Sequence, residues 1–260
     1  MGGLGKLNFN QGNSGNGISA YDDKMPTAWE ESWGNGLSTG VILANGAGSS
    51  MNIAYTTPKF LGTTIQATYA PEMGAADTAD KGSATASNSK DSGYDLTMNI
   101  NPSLGTEILS GLNIYLGGHY AESTDGNATL YQDSGSAVGA VVFDIGPISL
   151  GYGRSGRVTG LKADVGDTVG DPDYYKNMMY GVSFNVNDDL SLSYGKHDSE
   201  RGVAGASVAP IEAEAKSLQI AYSMGGVSVK IAETSVDNQN YVSTTAAERD
   251  GTTVAVTLAF

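Results

Sequence analysis

The sequence contains no cysteine and only two histidines, His119 and His197, in 260 residues. A disulfide framework, a thiolate nucleophile and a sulfur-based zinc site are therefore excluded, and imidazole chemistry is scarce. Basic residues are also few, with 14 Lys and Arg against 28 Asp and Glu for a formal net charge of −14. Phosphate recognition needs a dense basic patch, and these cations are scattered, so nucleic acid is excluded as a partner. Long apolar runs are missing as well. No stretch approaches the roughly 18 residues of a transmembrane helix. Yet 40% of residues are apolar and only 16% charged, a balance that fits neither a disordered acidic tail nor an ordinary soluble enzyme surface. The opening Met1 to Lys6 has neither the basic nor the apolar region of a signal peptide. The expectation is that a leader has been removed or that the natural start lies upstream.

What is present is strict alternation over about ten residues, the period of a strand with two unlike faces. Val254, Val256, Leu258 and Phe260 form one face of the last segment, and Thr253, Ala255, Thr257 and Ala259 the other. The same holds for Tyr94, Leu96, Met98 and Ile100 against Asp95, Thr97, Asn99 and Asn101. Reading the chain this way predicts twelve strands, at 4–10, 51–57, 62–70, 93–101, 111–122, 137–145, 147–156, 178–187, 189–198, 215–223, 226–236 and 250–260. Only 21–33 and 104–110 carry enough Ala, Glu, Leu or Trp for a helical turn or two.

The connections alternate between short turns and long loops. The long ones are 11–50, 71–92, 123–136, 157–177, 199–214 and 237–249, and they carry most of the charge. An antiparallel meander with short turns on one side, long loops on the other and two-faced strands is the pattern of a transmembrane β-barrel, whose apolar face meets lipid and whose polar face meets a wet lumen. Tyr55, Tyr69, Tyr94, Tyr120, Tyr152, Tyr180, Tyr194 and Tyr222 fall near strand ends on the apolar face, where an interfacial girdle belongs. The fold class expected is therefore all-β, a single barrel domain over 1–260. A soluble sandwich is the competing reading, but its aromatics would cluster in mid-strand.

Three features resemble the general diffusion porins of Gram-negative bacteria, closest to the alphaproteobacterial type. They are the strand Gly3-Leu4-Gly5-Lys6-Leu7-Asn8-Phe9, the roughly forty-residue loop after it, and the terminal Phe260 on an alternating strand. The resemblance implies that 11–50 folds into the lumen as the constriction loop and that Phe260 is the signal read by the barrel-assembly machinery. It further implies a homotrimer in the outer membrane, in contact with lipid and lipopolysaccharide. Aligned on the loop, the chain matches the C-terminal twelve of sixteen strands, so the sequence is expected to be N-terminally incomplete.

In such a protein the loop carboxylates Asp22, Asp23, Glu30 and Glu31 would line the constriction and favour cations. Parity with the lipid face puts Lys6, Asp95, His119, Asp144 and Lys230 on the pore wall. Lys230 lies between Val229 and Ile231 and must point inward, because a lysine facing lipid at mid-membrane costs about 2–4 kcal/mol. No cofactor is expected; the acidic groups Asp164, Asp167, Asp171 and Asp173, or Asp77 and Asp80, are candidates for Ca²⁺ or for divalent bridges to lipopolysaccharide. Gly151, Gly153 and Gly156 fit a dinucleotide-binding pattern, but an acidic loop follows where a helix is required. His197 and Ser199 share a face, which leaves an outer-membrane hydrolase as an alternative, alongside an adhesin or structural barrel whose loops do the work.

Overall fold

The computed structural model describes residues 3–11, 15–21, 23–73, 90–102, 107–123, 132–160, 172–203 and 209–258. Twelve strands follow one another: β1 Lys6–Gln11, β2 Met51–Thr56, β3 Thr63–Ala70, β4 Lys90–Ile100, β5 Leu112–Ser123, β6 Ser134–Ile145, β7 Ile148–Val158, β8 Tyr174–Asn185, β9 Leu190–Gly202, β10 Ile211–Met224, β11 Val227–Asp237 and β12 Arg249–Leu258. Each pairs antiparallel with the next, so the spatial order is β1 through β12 in one sheet. Among the described residues this sheet is open, with β1 and β12 as its two edges.

All twelve expected strands are found, but several run further toward the long loops than alternation indicated. β8 begins at Tyr174, β9 continues to Gly202, and β10 begins at Ile211. The added stretches carry charges that read as loop in the sequence. They pair across the strands: Lys176 on β8 bonds Glu200 on β9 at 3.1 Å, and Glu214 on β10 bonds Lys196, inside the expected part of β9, at 2.6 Å. Such half-exposed pairs contribute little stability, and the backbone ladder is what extends the strands.

The helix expected at 104–110 is the single turn α1, Glu107–Ser110. The one expected over 21–33 does not form. Its place is taken by irregular chain after a 3₁₀ turn at Ile18–Ala20, because its backbone N–H groups find partners on the strands instead.

The polarity of the sheet is inverted relative to a soluble protein. Large apolar side chains of alternate residues stand outside, including Phe9 at 75% and Leu96 at 61% exposure. Small and polar ones, such as Thr68, Thr97, Ser193, Ser217, Gln219 and Thr234, are buried on the opposite face. Burial of apolar area therefore does not hold this sheet together; the backbone ladder does, as lipid requires. The tyrosines align across strands, with Tyr69 opposite Tyr94, Tyr94 opposite Tyr120 and Tyr152 opposite Tyr180. Ring centroids lie 5.1 Å apart for Tyr69–Tyr94 and 5.4 Å for Tyr152–Tyr180, with the rings tilted at 37° and 48°, so one end of the apolar band is edged by aromatic pairs in contact.

Candidate functional site

The segment between β1 and β2 lies along the inward face of the sheet from one side to the other. Its first anchor is Asp95 on β4, which is 4% exposed. Asp95 Oδ2 accepts from Ile18 N at 2.9 Å, and Ala47 N donates to Oδ1 at 3.0 Å, so one carboxylate ties together the outgoing and returning limbs of the loop. His119 Nδ1 on β5 donates to Oδ1 at 2.6 Å, which fixes the imidazole tautomer. Asn16 Nδ2 donates to Asn52 Oδ1 at 2.9 Å and Gly17 N to Gln66 Oε1 at 2.7 Å, tying the same region to β2 and β3.

The loop next crosses β7 and β8 at a berth made of glycine. A Cβ on Gly151 would overlap the Pro26 ring, and one on Gly181 would lie 2.8 Å from Pro26 O and 3.0 Å from Met25 Cβ. Met25 packs there against Ala140 and Met179. The glycine pattern around Gly151 and Gly153 is thus a close-approach surface for the loop.

On β9 and β10 the partners are polar. Ala28 N donates to Ser193 Oγ at 2.8 Å; Trp29 N and Glu30 N both donate to Gln219 Oε1, at 3.0 and 3.1 Å. Gln219 Nε2 returns a bond to Glu30 O at 2.5 Å. Asn35 bridges two strands, donating to Ser217 Oγ and accepting from Thr234 Oγ1, each at 2.6 Å. These half-buried main-chain donors need acceptors, and the inward side chains of Ser193 and Gln219 supply them.

The far anchor is a tight turn after β11. Asn238, Asn240 and Tyr241 all have positive φ, at 52°, 56° and 57°, a conformation that costs an aromatic residue free energy. The strain places Tyr241 Oη to accept from Ile42 N at 2.8 Å and to bond Ser199 Oγ at 2.7 Å. Asn240 N donates to Thr39 O at 3.1 Å, and Asn177 Nδ2 to Ile42 O at 3.1 Å. Sequence reasoning missed Gln219, Asn35 and Tyr241. The signal for Gln219 was an amide at an inward mid-strand position; for Tyr241 it was an aromatic residue flanked by turn-forming asparagines.

Of the expected constriction residues, Asp23, Glu30 and Glu31 come together, with carboxylate oxygens within 4.8 Å of one another. Asp23 is exposed, Glu30 half-buried and Glu31 7% exposed. Burial first, then hydrogen bonds with Asp23 and Glu30, push the Glu31 carboxyl up to about 10. Glu31 therefore holds its proton at pH 7. Three oxygen donors at this spacing are the beginning of a hard-cation site, and the retained proton on Glu31 opposes it.

Asp22 and Phe260 lie outside the described residues, as do Asp77, Asp80, Asp164, Asp167 and Asp171. Lys6 and Asp144 are exposed and Lys230 is half-buried, whereas Asp95 and His119 are covered by the loop. His197 and Ser199 are buried at 1% and 0% exposure, and their bonds diverge. His197 Nε2 meets Asn177 Oδ1 at 3.1 Å, while Ser199 bonds Tyr241. That arrangement gives the serine no base.

No protein-family model matches the chain, and a search of curated proteins finds no match. Solved structures do resemble it. OmpF of Salmonella typhi, in complex with daunomycin, superposes with a TM-score of 0.63 at 13% identity over 92% of this chain and 70% of that one. An anion-selective porin from Comamonas acidovorans gives 0.61 at 14% identity, over 85% of this chain and 64% of that one. The outer membrane channel DcaP of Acinetobacter baumannii gives 0.52 at 9% identity, over 97% and 68%. At such identities the likeness is one of fold, and the chain spans about two thirds of each neighbour's length.

Proposed function

We propose that this chain forms the wall and constriction loop of a passive outer-membrane channel of the general porin type, admitting small hydrophilic solutes and ions. The observation that carries the reading is the loop itself. The roughly forty residues between two neighbouring strands, a small-loop position in most meanders, are anchored to the inward face from β2 to β11. Combined with an outward apolar band, this gives a lumen narrowed from within. Size selection follows from the loop, and cation preference from Asp23 and Glu30, with Asp22 beside them in sequence. The Comamonas porin is described as anion-selective, so selectivity is argued from these charges and not from fold. Lys6, Asp144 and Lys230 are assigned to the pore wall, and Asp95 with His119 to holding the loop.

Passive diffusion requires no catalytic group and no cofactor. The remaining assignments are a trimer in the Gram-negative outer membrane, assembly through a terminal Phe260, and contact of the acidic outer loops with lipopolysaccharide, with or without Ca²⁺. An adhesin whose long first loop stands outside the barrel is disfavoured by the loop's inward bonds. The test is planar-bilayer conductance of the refolded chain. Stable steps with a reversal potential displaced toward the cation side in asymmetric KCl are expected. A chain that inserts and stays silent would sink the proposal.

A further inference from the structure

We propose that Arg157, Tyr175 and Arg201 form a seat for the oxyanion of a small solute, a carboxylate borne on a flat ring, on the inward face beyond the constriction loop. This deepens the channel reading above and names a class of solute for it. The three residues stand directly opposite one another in register, Arg157 across from Tyr175 and Tyr175 across from Arg201, on β7, β8 and β9. Alternation gives all three the inward orientation of Ser155, Asn177 and Ser199. With strands about 4.8 Å apart, the two arginine stems start about 10 Å apart on either side of a tyrosine, close enough for both guanidinium forks to reach one anion above its ring.

The charge arrangement is the second argument. The sequence has twice as many acidic as basic residues, so chance favours a carboxylate beside every arginine. Among the described residues the ion pairs use Lys176, Lys196, Lys216 and His119, and neither arginine takes part in one. Two adjacent, half-buried guanidiniums repel each other unless an anion joins them, and their planar donor forks suit a carboxylate.

The third argument is the aromatic floor. Tyr241 lies 5.5 Å from the Tyr175 ring at 52°, and Arg201 Cζ is 5.3 Å from the Tyr241 centroid. Arg201 Nη2 also reaches Tyr241 O at 3.4 Å. The strained turn that anchors the loop therefore also orients one arm of the seat; Tyr241 itself is buried at 3% exposure and backs the seat, and the half-buried Tyr175 ring is left for the body of the solute. Along β9, Arg201 is four residues from His197, roughly 13 Å toward the long-loop side, so the seat precedes the Asp23 and Glu30 charges for a solute entering from that side.

The test is calorimetric titration of sodium benzoate into the full chain folded in detergent micelles, alongside bilayer conductance of the same preparation. Saturable binding is expected, weakened about tenfold or more in the double variant Arg157→Gln/Arg201→Gln through loss of two charge-assisted donors. The Arg157→Lys/Arg201→Lys pair should retain part of the affinity by keeping charge without the forks, and it serves if the glutamine pair fails to fold. Tyr175→Leu should weaken benzoate more than acetate. Absence of saturable binding to the unsubstituted chain, or unchanged affinity in both arginine pairs, overturns the seat. Conductance steps without benzoate binding would remove the seat and leave the channel; binding without steps would do the reverse.

Discussion

Replacing Asp95 by Ala removes the acceptor shared by Ile18 N and Ala47 N. Each buried N–H left without a partner costs about 1–3 kcal/mol, and water from the lumen offsets part of that. A net loss of about 2–4 kcal/mol in the stability of the docked loop is expected. Asp95→Asn is the calibrating variant. Its one oxygen can still take the two amides, and His119 can change tautomer to accept from the new NH₂, so about 1 kcal/mol is expected from the lost charge. The assay is amide hydrogen exchange of the folded protein in micelles, read at Ile18 and Ala47. At tenfold per 1.4 kcal/mol, Asp95→Ala should speed exchange there by about 30- to 700-fold. Amides in the middle of β7 and β8 should not change. Unaltered protection at Ile18 and Ala47, or equal effects of Ala and Asn, would refute the claim that this carboxylate holds the loop.

Glu31 keeps its proton to about pH 10, so Glu31→Gln should leave ion selectivity at pH 7 unchanged, while Asp23→Asn and Glu30→Gln lower cation preference. Because its folded value lies above its ordinary 4.5, its contribution to stability is complete below about pH 4.5 and fades as pH climbs to about 10; denaturation of the wild type against Glu31→Gln over that window should show it. Gly181→Val drives a side chain into Pro26 and Met25, and should cost about 1–3 kcal/mol by overpacking and reduce conductance. Gly118→Val, with nothing within 4 Å, is the neutral control. Tyr241→Phe strips the acceptor from Ile42 N and the partner from Ser199, and should raise open-channel noise at a cost of about 1–3 kcal/mol.

Alternation made the strands legible because an inward and an outward face differ in chemistry at every residue. It failed at their loop-side ends, where Lys176, Glu200 and Glu214 stand on the outward face beyond the tyrosines and look like loop. The segment 21–33 was misread because helix propensity describes local bonding, and its donors are satisfied by Ser193 and Gln219, 165 and 190 positions away. Parity put Asp95 inward but said nothing of Ile18, 77 positions earlier. Asp23, Glu30 and Glu31 could be named together only through the resemblance to porins and its constriction loop; that Glu31 holds its proton could not, since burial under a folded loop is a tertiary property.

The span of the loop's bonds bears on how the protein assembles. Neighbouring strands pair as hairpins of short separation, whereas Asn35 and Ile42 are made early and wait for Thr234 and Tyr241, each 199 positions later. Closing such distances is slow, and the loop can be seated only after the last strands arrive. The loop thus acts as a gauge for the curvature of the finished wall: set down last, it accepts only a sheet bent far enough to present β4 and β11 to the same stretch of chain.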